Sequence, residues 1–279
     1  MHKATATLLV TGCLLAGTPS IARQLPGEPL KESGQNVYPA FEGWYQNADG
    51  SYSLLLGYFN RNLKQELDVP IGPGNQLQPG GPDMGQPTHF GPRRGWGVLV
   101  VTVPNDFGDK KIVWTITANG KTVAIPFGLT KGYQIEPLRD EGVGNTPPTL
   151  RFAPTAPAAQ GPPLPLSTAF AINAVAGEAT PLTVWATDDG KRESPMRVSS
   201  EPPRPPRLTV TFSHYRGAGR VTITEPRPKV DDTGKASTTA TFSAPGDYVI
   251  RVEGNDDSGV GGSGFQCCWT TAYLRVTVK

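Results

Sequence analysis

Six oxygen-bearing side chains stand where they could hold a hard cation: Asp188-Asp189, then Asn255-Asp256-Asp257 with Glu253 two residues ahead. Calcium takes about six to eight oxygen ligands, and carboxylates mixed with backbone carbonyls supply them. Asp and Asn before Gly or Ser are also ordinary turn formers that bond their own backbone, and no calcium-loop motif accompanies these. Calcium is the cofactor these residues could take, and no other is expected. A second candidate is the adjacent pair Cys267-Cys268. It could form a vicinal disulfide, link two chains, or place two thiols on opposite faces of a strand. Disulfide geometry favours Cα atoms roughly 4.4–6.8 Å apart, whereas trans neighbours sit near about 3.8 Å, so a vicinal bond requires backbone distortion.

Trp44, Tyr45, Trp96 and Trp185 are the aromatic residues that could form a platform for sugar rings or for a partner protein. The competing use for such rings is to fill the seam between two domains. For catalysis the inventory is poor. Past the N-terminal leader the histidines are His89 and His214, and no metalloprotease, nucleophile-elbow or phosphate-loop motif occurs. An enzyme is not expected.

The elements that must position these residues are strands. Gly 33 and Pro 29 in 279 residues, with 18% charged, suit turns between short strands better than helices. The start of the chain combines a basic residue at Lys3, an uncharged stretch to Gly17 and small residues at Ser20 and Ala22. This pattern predicts a secretory signal over 1–22. It places the chain outside the cytoplasm: secreted, periplasmic or at the cell surface. Later apolar runs are too short for a membrane helix. The net charge of +2, with both signs interspersed, argues against a nucleic-acid partner.

Residues 23–36 lack periodicity and are expected to be a disordered lead-in. A first domain is expected over 37–139 as a β-sandwich. Within it Asn47-Ala48-Asp49-Gly50 predicts one hairpin, and Asn119-Gly120, between alternating runs, predicts another. Gly72 to Gly97 is a long Gly/Pro-rich stretch expected as a loop, either functional or mobile. A second domain is expected over 140–279, with a Pro-rich early segment. Alternation at Leu182/Val184/Ala186, Leu208/Val210/Phe212, Tyr248/Ile250/Val252 and Leu274/Val276/Val278 describes two sheets over one core.

Thr187-Asp188-Asp189-Gly190, Leu208 to Ser213 with Gly217-Ala218-Gly219, and Thr239 to Val252 through Pro245-Gly246-Asp247-Tyr248 together resemble the bacterial PKD/REJ-type immunoglobulin-like repeat. The resemblance covers most of the second domain and none of the first. It implies a sandwich in which Tyr248 is a tyrosine-corner residue and Phe212 takes a core position on strand C. Lys191 to Arg207 and Gly259 to Gln266 are insertions relative to that pattern. Such repeats serve as spacers, adhesion units and enzyme appendages. The expected fold is therefore all-β with two tandem sandwiches. The expected role is a non-catalytic binding, adhesion or structural module facing a protein or glycan surface, with a carbohydrate-binding protein and a hydrolase as alternatives. The hydrolase alternative requires an acidic or His-bearing cleft beside Gly72 to Gly97.

Overall fold

The computed structural model describes residues 29–140, 144–191, 208–256 and 267–279. The predicted signal, both insertions except Lys191, and Asp257 lie outside these residues. The protein is all-β and forms two tandem sandwiches, the second immunoglobulin-like.

The first sandwich contains β1 (Val37–Gln46), β2 (Tyr52–Asn60), β3 (Leu67–Asp68), β4 (Asn75–Gln78), β5 (His89–Phe90), β6 (Arg93–Val103), β7 (Ile112–Ala118) and β8 (Lys121–Phe127). One sheet runs β1-β2-β6, a second β4-β7-β8, and β3 pairs with β5. Leu54, Leu56, Val101 and Val103 of the first sheet meet Leu77, Trp114 and Ile116 of the second in one buried core. Both expected hairpins are present. Asn47 and Gly50 close the β1–β2 turn through backbone bonds. Asn119 and Gly120 both take positive φ, 47° and 73°, as a two-residue turn between twisted strands requires.

Two expectations for this half need correction. Residues 29–36 are not a free lead-in. The Gln35 amide donates to Asn62 Oδ1 at 2.7 Å, Leu63 N–H donates to Lys31, and Gln35 and Asn36 are buried. Polar side chains rather than apolar periodicity hold this segment, so a hydrophobic pattern does not reveal it. The stretch from Gly72 to Gly97 is likewise no plain loop, since it carries β4, β5 and the start of β6. Its organiser is Asn75, fully buried. Asn75 Nδ2 donates to the Val69 and Pro87 carbonyls at 2.9 and 2.7 Å, and its Oδ1 accepts from Trp114 Nε1 at 3.0 Å. Buried Gln86 adds bonds to the Asn75 and Pro82 carbonyls. One amide thus supplies donors to two backbone carbonyls that no ladder satisfies and an acceptor to a buried indole.

The second sandwich contains β9 (Thr149–Arg151), β10 (Ala159–Gln160), β11 (Phe170–Ala174), β12 (Ala179–Thr187), β13 (Thr209–Arg216), β14 (Val221–Ile223), β15 (Lys235–Phe242), β16 (Gly246–Asn255) and β17 (Trp269–Val278). Its sheets run β10-β9-β12-β15-β14 and β11-β17-β16-β13. With β12, β13, β15, β16 and β17 as strands B, C, E, F and G, this is the A-B-E-D and C-F-G arrangement of an immunoglobulin sandwich, with β11 added parallel to G. The apolar positions expected from alternation are buried: Leu182, Val184 and Ala186 from B, Val210 and Phe212 from C, Ile250 and Val252 from F, Leu274, Val276 and Val278 from G. Each larger side chain buried here contributes about 1.5–3 kcal/mol.

Tyr248 is 2% exposed, and its hydroxyl donates to the Ala244 carbonyl at 2.9 Å, four residues upstream. Gly217 and Gly219 lie against its ring and hydroxyl so closely that a Cβ at either would overlap them. The Gly217-Ala218-Gly219 run is therefore the space into which the corner tyrosine fits.

Candidate functional site

The feature that joins most of the chemically capable side chains is the seam between the two sandwiches. The outer face of sheet β11-β17-β16-β13 packs on the first sandwich, and Tyr215, Val249 and Tyr273 from that face belong to the first sandwich's core. The hydroxyls of Tyr215 and Tyr273 both donate to the Val98 carbonyl, and Tyr215 also reaches Gly85 O at 2.6 Å. Arg216 forks onto Asp83, at 2.9 and 2.7 Å, and bonds the Gln86 carbonyl at 2.6 Å. Trp269 lies flat against Gly97, where a Cβ would stand 2.9 Å from the indole ring.

A charged group runs through the seam. Arg251, its side chain 11% exposed, pairs with Glu253, donates to the Trp96 carbonyl at 2.6 Å and reaches Thr271 Oγ1 at 3.1 Å. Glu42 sits at a bulge in β1 between Phe41 and Gly43, and its side chain is wholly buried. Its Oε2 accepts from Gly97 N–H at 2.7 Å, and its Oε1 lies 3.1 Å from an Arg94 amino group, a charge contact without hydrogen-bond alignment. Gly57 is what admits this carboxylate, since a Cβ there would overlap it. Burial pushes Glu42 from 4.5 up to about 7, outweighing the opposing pull of Arg94 and of the Gly97 bond. Arg94 also stacks its guanidinium over Trp96, 4.1 Å from the ring centroid.

Where the seam reaches its edge, His214 of β13 stacks on His89 of β5, centroids 4.2 Å apart. Asp68, the cross-strand neighbour of His89, places Oδ1 2.8 Å from His89 Nδ1.

Of the residues expected to bind calcium, Asp257 lies outside the described residues, and Asp256 and Asp189 are close enough to Asp188 for their charges to act on it. Among the described residues, the group of three or more His, Cys, Asp or Glu whose ligand atoms lie within 4.8 Å of one another is Asp68, His89 and His214. Asp188, Asp189, Glu253 and Asp256 form no such group. The four have other partners: Asp188 accepts from Gly190 N–H at 3.0 Å, Asp189 accepts from Thr146 and from Lys191 N–H, Asp256 accepts from Asn145 Nδ2 at 2.6 Å, and Glu253 pairs with Arg251 on its own strand. Asn255 pairs with Thr209 and Trp269 in the sheet. Burial first, then the charges of Asp256 and Asp189, raise the Asp188 carboxyl.

The four aromatic residues do not share a face. Trp44 is 9% exposed in the first core, with its indole N–H bonded to the Thr130 carbonyl at 2.8 Å. Tyr45 is partly buried on β1, and Trp96 faces Arg94 at the seam. Trp185 alone of the four stands on the outward face of β12, between Arg151 and Lys235, with the Lys235 ammonium 5.8 Å from its ring centroid. Cys267 and Cys268 are buried, with their sulfur atoms at bonding distance.

Sequence reasoning passed over Glu42, Arg94, Arg251, Tyr215, Tyr273 and Asp68. Only Glu42 carried a local signal, a lone charge inside the apolar run Phe41-Glu42-Gly43-Trp44. The others alternate with core residues on strands whose second face looked solvent-bound.

The strand order defines the second half as an immunoglobulin-like sandwich. No protein-family model matches the chain. No curated protein matches it. Among solved structures, the D00-D0 domain of intimin aligns over 88% of this chain and 100% of its own, at 13% identity and TM-score 0.26. The Yersinia pseudotuberculosis adhesin InvE aligns over 88% of this chain and 59% of its own, at 12% identity and TM-score 0.25. Domains 4 and 5 of the S-layer protein SbsC align over 61% of this chain at 9% identity and TM-score 0.22, and the match spans 65% of that fragment. Among the described residues no helix is long and apolar enough to cross a membrane.

Proposed function

We propose that this chain is an extracytoplasmic, non-catalytic adhesion or structural module, exported by a signal over 1–22 and built of units over 37–139 and 140–279, the second of PKD/REJ type. The observation that carries this reading is the use made of the seam. Tyr215, Tyr273, Arg216 and Arg251 bind backbone carbonyls of the first sandwich. Polar groups that a catalyst would aim at substrate are spent on fixing one sandwich against the other. A fixed pair of sandwiches suits a module that carries load or holds a surface at a set distance.

The exposed sheet β10-β9-β12-β15-β14 is the face this reading assigns to the partner, a protein or glycan surface, with Trp185, Arg151 and Lys235 at its centre. Beads coated with the full chain, tested against immobilised matrix proteins and a glycan array, should be retained on one of them. A Trp185→Ala, Lys235→Glu double variant should lose that retention while melting as the wild type does. Equal retention of variant and wild type would remove this face from consideration, and no retention on any surface would end the adhesion reading.

A further inference from the structure

The two histidines at the seam come from different sandwiches, yet their rings meet face to face. His89 is held by the short β3–β5 ladder, which sets Asp68 directly opposite it. His214 stands at the end of β13, where the register slips between His214 and Arg216 and turns the strand end toward the first sandwich. The His89 side chain is 10% exposed, Asp68 is at the rim, and Glu66 Oε2 lies 3.7 Å from His89 Nε2.

His89 Nδ1 lies 2.8 Å from Asp68 Oδ1, so a carboxylate already stands beside a ring nitrogen that loss of its proton frees for a metal. His214 Nε2 is buried and has no hydrogen-bond partner. A buried imidazole nitrogen without a partner is unusual, and a metal ion at this position would satisfy it.

We propose that His89, His214 and Asp68 bind a zinc-type divalent ion, with Glu66 beside the other nitrogen of His89, so that the metal ties one sandwich to the other. Two neutral imidazoles and a carboxylate are a donor set of the kind zinc takes, and a carboxylate on the far nitrogen of a ligating histidine is the usual outer support. The compactness of the group, with ligand atoms of Asp68, His89 and His214 within 4.8 Å of one another, leaves about an ångström of contraction to reach tetrahedral spacing. Small turns of the two rings and of the exposed Asp68 carboxylate supply it. A chance ion pair with a stacked ring would not need a buried imidazole nitrogen left without a partner on His214.

The test is calorimetric titration of the full chain with zinc chloride, with cobalt(II) absorption as a second readout. One zinc per chain is expected, with a higher melting temperature that a chelator reverses and with cobalt bands of tetrahedral intensity. His89→Asn, His214→Asn and Asp68→Asn should each weaken zinc at least about tenfold. Melting of the metal-free variants near the wild-type temperature shows that they fold. If a variant fails to fold, His214→Gln and cobalt spectra of the wild type decide the matter. Absence of zinc binding, binding that both histidine variants retain, or cobalt bands of octahedral intensity would each overturn the proposal.

Discussion

The Glu42 carboxylate lies 3.1 Å from the Arg94 guanidinium with none of its own side chain exposed. Burial raises Glu42 to about 7 and lowers Arg94, so removal from water outweighs their attraction on both sides of the pair. Arg251 and Glu253 are the other charges that act on Glu42, the first lowering and the second raising it. A carboxyl whose folded value is raised contributes stability below its unfolded value of 4.5 that is lost as pH rises through about 7. The protein should therefore be more stable at pH 5 than at pH 8, by up to about 3 kcal/mol from this group. Denaturant midpoints of wild type and Glu42→Gln across that window provide the check. The variant should show a flatter profile, and coincident profiles would contradict the assignment.

Asn75 satisfies two carbonyls and one indole N–H from three separate segments. Replacing it with Ala leaves buried groups unpaired, so Asn75→Ala should cost about 2–4 kcal/mol in urea unfolding. Limited proteolysis should cut first between Gly72 and Gly97. Protection there equal to wild type would show that other contacts order the segment.

Gly217 combines a φ of 140° with direct contact on the Tyr248 ring. Gly217→Ala should destabilise by more than about 2 kcal/mol, through strain and displacement of the ring together. Tyr248→Phe should cost only about 1 kcal/mol, the net worth of one hydroxyl bond. Equal losses would mean that the hydroxyl, not the packing, governs the corner.

Cys267 and Cys268 should be bonded to each other in protein isolated without reductant. Peptide mapping without reductant should find neither alkylated, and mapping after reduction should find both. A disulfide-linked dimer of chains would instead assign them to an intermolecular bond.

The second sandwich was largely legible because its strands obey one rule. Leu182, Val184 and Ala186, and their counterparts on the other strands, alternate with polar residues and face one core. That rule also misleads at β13, β16 and β17. Tyr215, Val249, Arg251 and Tyr273 occupy what reads as the solvent face, yet they are covered by the other sandwich, where the groups that Tyr215, Arg251 and Tyr273 bind lie 117 to 175 residues away in the chain. Alternation reports which residues share a side, not what lies against it. The Gly72 to Gly97 stretch escaped for the opposite reason. Its order comes from two buried amides, Asn75 and Gln86, and an amide leaves no periodic trace.

One pairing in the second sandwich bears on how the module responds to pulling. Strand β11 runs parallel to β17 through five matched pairs, Phe170 with Leu274 to Ala174 with Val278, and Lys279 continues the ladder by bonding the Ala174 carbonyl. Tension applied through Lys279 and through the chain ahead of Phe170 acts in opposite directions along two side-by-side strands. All the rungs between them are then strained at once, in shear, instead of peeling one after another. A strand that looks like a minor addition to the sheet thereby sets a load applied at those two points against five paired residues together.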